Sequence, residues 1–424
     1  MHQLKYILSF VLVFTLSSTI IGQDENLVYE DEIYLDYIKS VKFHHQGLFT
    51  SIPIIDLNSS GRLVLSFDDL EAEDKEYLYE IIHCDKDWQP SDIEEVEFLD
   101  GFNLEEINDV NFSRGTFHNY THYELTLPND QVKWNLSGNY LLKVYENEYD
   151  KILALTRRFM VVEPAVTVLV DLVRPSSVSK IKSHHELRFD INYKNFAINN
   201  PKNEIEVVII QNGRWDNLLS GINPKFITGE TMKFNYLDRL NFLALKEFRI
   251  FECRSKRYTG ERVHSIDINN QGIDVLLDLD ESRASKYYHT YDDLNGNYII
   301  ETRDDNNDMV TAEYINAIFA LDLRRELYEG NIYVVGKFTD WKLKEEFKMQ
   351  FDSQNNIYVG EGLLKQGFYD YMYVLEDSRG VSFDALEGSW EETENEYTVL
   401  VYYSEYGSRY DRLIGLANLN SNRN

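Results

Sequence analysis

An all-β fold of tandem β-sandwich domains with few short helices is what this sequence predicts. Three observations carry that expectation. The chain holds 30 Tyr and 23 Phe among 424 residues, side chains that half-buried strand faces accept well. Short apolar or alternating runs, broken by Gly, Asn, Ser and Asp, recur along its whole length, the pattern of many short strands joined by turns. Long apolar patterns at helical spacing are hard to find. A chain this long exceeds one ordinary domain of about 100–150 residues, so several sandwiches are expected.

Taken in order, residues 1–22 read as a signal peptide. Lys5 opens it, and residues 7–21 form a mostly apolar run too short to span a bilayer comfortably. Export is the consequence, with direct membrane insertion not expected. A first sandwich is assigned to residues 23–163, with strands near 41–43, 52–57, 63–67, 77–84, 121–127, 140–145 and 153–162. Within it Gly138-Asn139-Tyr140 is similar to the tyrosine corner of immunoglobulin-like domains. Glu163-Pro164 reads as a linker. The middle sandwich, 164–271, starts with the run 166–173 and is expected to end with strands near 248–250 and 263–268. Its stretch 207–210 is apolar on both sides, as a central strand is. The third sandwich, 272–408, opens at the Asn295-Gly296 hairpin signal. It continues through runs at 314–323, 332–338, 347–351, 357–364, 369–375 and 397–403. Residues 409–424 are left as a C-terminal tail.

Forty-two basic against seventy-two acidic residues give a net charge of −30. Such a surface repels phosphate backbones, so nucleic acid is not an expected partner. It is also repelled by an anionic membrane face, so membrane association should run through another protein.

The rarest residue types crowd into residues 81–102, where His83, Cys84, Asp85, Asp87 and Trp88 lie close together. A metal site is not expected there. Neighbours on a strand point to opposite faces, so only His83 and Asp85 share a side, and no CxxC or HExxH spacing supplies further ligands. Adjacent residues on a strand also cannot bring a Cys nucleophile within reach of a His base. Asp85, Asp87, Asp92 and Glu94 are the carboxylates a hydrolase would draw on, without a motif to support one. Ser91 and Glu94 fit a capping box, while residues 93–99 suit a helix and a strand equally. Asp304, Asp305, Asn306 and Asp308 lack calcium-loop spacing and read as an acidic turn. Cys84 and Cys253 are expected to stay buried and free. No cofactor, catalytic residue or metal ligand is assigned. Trp88, Arg214, Trp215, Trp341 and Trp390 are the candidates for partner contact, since Trp and Arg are frequent hot-spot anchors.

Residues 332–341 (IYVVGKFTDW) and 365–374 (KQGFYDYMYV) together resemble the glycogen- and starch-binding modules of the early-set immunoglobulin-like class, which implies that the tandem sandwiches are immunoglobulin-like, early-set domains. That resemblance implies an alternative role, carbohydrate binding through an exposed Trp341 and, in second place, Trp390. A wider resemblance covers residues 27–415. It is carried by FDDL (67–70), IIHCDKDWQPSD (81–92), YTHYELTLPN (120–129) and SGNYLLKVY (137–145), and by TRRFMV (156–161), QNGRWDN (211–217), LKQGFYDY (364–371) and TENEYTVLVYY (393–403). Together these resemble the type IX secretion system plug protein family. The resemblance implies a periplasmic protein without enzyme activity that closes the periplasmic mouth of an outer-membrane β-barrel translocon.

Overall fold

A computed structural model describes residues 27–149 and 151–422; the expected signal peptide lies outside them. Strands dominate, and the α-helices among the described residues are four residues long each. Tyr140, Leu142 and Val144 point one way from the strand Gly138–Glu146, into a core with Phe67, Tyr77, Tyr123 and Phe159. Leu141 points the other way and is equally buried. A strand buried on both faces needs a sheet on each side, and that requirement organises the molecule.

The first sandwich pairs Gly138–Glu146 with Ile152–Val162 and Tyr77–Cys84 in its inner sheet. Its other sheet is built from Ile38–His45, Leu63–Asp69, Thr121–Leu127 and Asp109–Phe112. The middle sandwich has one sheet of Thr167–Val173, His184–Asn192, Thr231–Phe234 and Phe226–Thr228. Its second sheet is Leu219–Ile222, Ile205–Gln211, Glu396–Tyr403 and Arg412–Asn420. This second sheet lies against the inner sheet of the first sandwich, so four sheets stack in series. The third unit is one continuous sheet that starts at Arg249–Glu252 and ends at Val263–Asn269, closing over its own core of Phe251, Phe319, Tyr369 and Tyr371.

Several strands therefore change allegiance relative to the sequence reading. Glu396–Tyr403 pairs with Ile205–Gln211, with Val401 opposite Val207, so it belongs to the middle sandwich and not the third. The supposed tail forms the strand Arg412–Asn420 on its other side. Conversely Arg249–Glu252 and Val263–Asn269 pair with Gly367–Asp377 and Gly272–Leu277, inside the third unit. The alternation of apolar residues locates a strand and its buried face, but it does not say which strand lies beside it. Chain entry into the third unit and return to the middle one thus interlock the two.

Two local expectations also change. The stretch after Trp88 resolves as a helix, Glu95–Phe98, followed by the strand Leu99–Gly101. Its first turn is held by Glu97, whose carboxylate accepts the Glu94 amide at 2.9 Å, while Ser91 is engaged elsewhere. Asn295 and Gly296 take the left-handed conformation of the expected turn, and the Asn297 amide donates to Leu294. No strand precedes it, however, so the turn leads from coil into Tyr298–Ile300 and makes no hairpin. Gly296 is required by contact as well as by φ, because a Cβ there would lie 2.4 Å from the Trp341 ring.

Candidate functional site

The motif at 81–92 is a strand end and a tight turn. Asp85 accepts the amides of Asp87 and Gln89, both at 2.9 Å, and its own carbonyl accepts the Trp88 amide. This turn puts Trp88 at φ +62°, a conformation non-glycine residues hold only when their surroundings enforce it. The enforcement is packing. Trp88 is buried and meets the Trp215 ring edge-on with centroids 5.2 Å apart, and the Arg158 guanidinium lies 5.1 Å from both rings. His83 is fully enclosed. Its Nε2–H donates to the Ser137 carbonyl and its Nδ1 accepts from the Ser91 hydroxyl, at 3.2 and 2.8 Å. Burial holds this imidazole down to about 4 and pushes the Cys84 thiol up to about 12. A neutral imidazole with both nitrogens engaged and an inert thiol leave the pair no ligating or nucleophilic capacity.

The loop 211–217 joins all three units. Asn212 exchanges backbone and side-chain hydrogen bonds with Glu396, at 2.8 Å each. Arg214 is almost fully enclosed, bonded to Asp216 through two nitrogens and flanked by the rings of Trp341 and Phe383 at 4.4 and 4.1 Å. Four of the five candidate contact residues, Trp88, Arg214, Trp215 and Trp341, thus converge from separate parts of the chain. They bind the chain to itself. Trp88, Arg214 and Trp341 are too deeply covered to serve as exposed anchors, and Trp215 is half-buried against Trp88. Trp341, buried beneath Arg214 and Phe248, presents no ring face to a sugar. Trp390 stands apart and half-buried; its amide donates to Leu245 and its ring lies 5.5 Å from the Lys246 ammonium. The acidic turn near 304 is likewise internal bonding. Asp304 accepts from Ser255, Lys256 and Gln366, and Asp308 from the Thr302 amide. Both cysteines are buried and free.

Sequence reasoning passed over the seam between the first and third units. Asp68, fully buried, accepts hydrogen bonds from Lys365 at 2.6 Å, from His122 Nδ1 at 2.6 Å and from the Tyr314 hydroxyl at 2.7 Å. Burial alone would raise its carboxyl, but the Lys365 ammonium and the His122 ring outweigh that and hold it below the usual carboxylate range. The Lys365 ammonium also sits 3.9 Å from the centre of the Tyr120 ring. Nearby, Glu313 accepts the amides of Phe117 and His118, and Arg157 meets Asp340 at 3.3 Å. The one signal available was that Asp68, Tyr120, His122 and Lys365 all fall inside the quoted motifs. Composition gave no reason to connect them.

A cleft of about 860 Å³ opens where the three units meet. It is lined by Thr398, Asn418 and Asn420 of the middle sandwich, by the segment 45–56 of the first, and by the carboxylates of Asp31, Asp56, Asp340 and Glu396 beside Arg157, Arg158 and Lys337. Its lining includes Lys42, whose ammonium donates to the Tyr298 carbonyl at 2.7 Å and lies 4.0 Å from the Tyr298 ring. Burial, with Lys337 close by, holds Lys42 down to about 7. Among the described residues no group of three or more His, Cys, Asp or Glu side chains is arranged to hold a metal ion. No described helix is long and apolar enough to cross a membrane.

The fold and its internal bonding define a class first: a non-repeating stack of interlocked immunoglobulin-like sandwiches whose most distinctive residues hold the units together. Residues 38–163 match the family model described as Type 9 secretion system plug protein 1st domain. The chain is also similar to a solved structure, a hypothetical protein from Parabacteroides merdae ATCC 43184. The two share 31% identity and a TM-score of 0.88, over 93% of this chain and 100% of that one. No curated protein sequence matches. The chain belongs to the type 9 secretion system plug protein family.

Proposed function

We propose that this protein is a non-enzymatic periplasmic plug, which binds the periplasmic end of the outer-membrane β-barrel translocon of type IX secretion and closes it while no substrate is engaged. The observation that carries this reading is the match of the first sandwich to the plug family. The build of the molecule supports it. A body that blocks a wide opening must keep its shape against a load, and here the third unit is inserted into the middle one, between Asn241–Leu243 and Glu396–Tyr403, while Arg214 and Trp88 lock all three. The net charge of −30 keeps such a body soluble and off anionic membrane faces, so that its seating depends on a protein partner. The test is to purify the translocon barrel from cells with its native partners and to delete this gene in a second strain. Co-purification with the barrel, and increased entry of a large impermeant antibiotic on deletion, are the expected results. A barrel purified without this protein, in cells that express it, would overturn the reading.

A further inference from the structure

The middle sandwich is charged unlike the rest of the molecule. Residues 164–244, which precede the inserted third unit, carry ten Lys or Arg against eight Asp or Glu, while the remaining chain carries 32 against 64. At one end of its outer sheet two of these cations have no carboxylate within ion-pair distance among the described residues. Lys225 donates to the Asn235 carbonyl at 3.2 Å, and its ammonium lies 5.5 and 5.6 Å from the centres of the Phe226 and Tyr236 rings. Arg239 lies 4.8 Å from the Tyr236 ring and donates to the Gly221 carbonyl at 2.8 Å. The carboxylates around them are taken. Asp190 pairs with Lys233 and Asp238 with Lys180, both at 2.9 Å, and Glu206 pairs with Lys86 at 3.2 Å. Glu230 sits in the turn at the far end of the hairpin.

Beside these cations the sheet ends in the strand Phe226–Thr228. It pairs with Thr231–Phe234 on one side, and among the described residues nothing else hydrogen bonds to its backbone. Neighbours on a strand point to opposite faces, yet Phe226 and Ile227 are 55% and 36% exposed, and Thr228 is exposed as well. Met232, opposite Ile227, is fully buried. The outer strand therefore overhangs the core, bare on both faces and along its edge. Leu237, which follows Tyr236, is 70% exposed. Apolar groups gathered at a free edge mark a surface that another chain covers. An extended segment does so by pairing with the edge and laying its side chains on the exposed ones. A second copy of this strand would set Lys225 and Arg239 against their like, which is how cationic edges avoid pairing with themselves.

We infer that Phe226–Thr228 is a docking edge for an extended acidic segment of a partner protein, with apolar side chains laid on Phe226, Ile227 and Leu237 and carboxylates on Lys225 and Arg239. A locally positive surface on a molecule of charge −30 attracts such a segment and orients its approach. An anionic membrane offers the same charge, but it would leave the strand edge unpaired and would repel the acidic remainder of the chain. The inference stands on this edge itself and does not require that the partner be the translocon.

The test uses the mature chain and three capped fluorescent heptapeptides, with binding read by fluorescence anisotropy. The first alternates Glu and Val, the second has Gln for each Glu, and the third is the first with its internal amides N-methylated. The Glu peptide should bind about tenfold more tightly than the Gln peptide, and the methylated peptide should not bind. Lys225→Gln together with Arg239→Gln should abolish the tenfold difference. Lys225→Arg together with Arg239→Lys should keep most of it, with circular dichroism melting showing each variant folded. Equal binding of the Glu and Gln peptides by the wild-type chain would overturn the proposal. So would a preference that survives the double Gln variant, or binding of the methylated peptide as tight as that of its parent. Retention on phosphatidylglycerol vesicles that the double Gln variant loses, without binding of the Glu peptide, would overturn it in favour of a membrane contact.

Discussion

The first sandwich has two neighbours, and it meets them by opposite means. Against the middle sandwich it presents Ile54, Cys84, Leu141, Met160 and Val162, which interleave with Val208, Ile210, Leu400, Tyr402 and Leu413. Against the third it presents Asp68, Lys42 and Arg157, of which Asp68 bonds to Lys365 and Tyr314, Lys42 to the Tyr298 carbonyl and Arg157 to Asp340. An apolar seam is non-directional and is held by the area it removes from water. A buried polar seam is directional: it fixes one relative placement, and it fails sharply when one partner is lost. The first seam therefore resembles the inside of a single domain, while the second specifies how the third unit is docked.

The difference is broken most severely at Asp68. Asp68→Ala leaves the Lys365 ammonium, 1% exposed, without a counter-charge, and should cost about 3–5 kcal/mol in urea unfolding. The double variant Asp68→Leu, Lys365→Met removes both charges and should recover part of that loss. A double variant as unstable as the single would mean that the hydrogen bonds to His122 and Tyr314, and not the ion pair, hold this seam.

On the apolar side the matching change is Leu141→Ala. It empties a fully buried site between two sheets and should cost about 2–5 kcal/mol. Cavity costs do not depend on screening, so the loss should be the same at low and at high salt. A strongly salt-dependent loss would show that this seam is not governed by apolar packing.

These two seams also separate what was legible in the sequence from what was not. Strand positions were readable because alternation is local: Tyr140, Leu142 and Val144 repeat at period two, and both faces of 207–210 are apolar. The tyrosine corner was readable too, and Tyr140 donates to the Leu136 carbonyl at 2.8 Å. A second corner was missed although its spacing is the same, with Tyr369 donating to Lys365 four residues back; Gly367-Phe368-Tyr369 repeats the G-x-Y pattern. Sheet membership was not readable. Val207 faces Val401 across 194 residues, and nothing in either run names the other. Residue type singles out the five candidate contact residues, but type does not distinguish an anchor for a partner from one for the chain itself, and Trp88, Arg214, Trp215 and Trp341 pack against the chain. The Asp68 seam was invisible because single charged residues are common here, and only the fold shows which ones are enclosed.

Acid should take the two sides apart in sequence. His83, beside the apolar seam, is held down to about 4 by burial, below its unfolded value near 6.5. A depressed folded value means the unfolded chain takes up the proton first. The associated stability, about 3 kcal/mol, is fully present above about pH 6.5 and is lost as the pH falls toward 4. Asp340, at the polar seam, is held at about 2: burial alone would raise it, and Arg157 with Lys337 overrides that. Its contribution is present above pH 4 and is lost only as the pH falls through 2. Urea midpoints measured from pH 7.5 down should therefore decline in two stages. His83→Gln should flatten the upper stage and leave the lower one, and Asp340→Asn the reverse. A single smooth decline unaffected by His83→Gln would remove the histidine from this account.

The smallest effect is expected at the rim of the same polar seam. Lys39 and Glu346 pair there at 3.1 Å, with 25% and 40% of their side chains exposed. Water already solvates both groups, and ordering two long side chains offsets most of what their attraction contributes. Lys39→Met should change stability by roughly 0–1 kcal/mol, and less at high salt. This pair joins the same two units as Asp68 and Lys365 and has nearly the same chemistry. If polarity as such held the third unit in place, the two substitutions would weaken docking alike. If enclosure decides, Asp68→Ala should release the third unit to proteolysis while Lys39→Met leaves its cleavage pattern unchanged, and comparable cleavage of both variants would refute the directional reading of this seam.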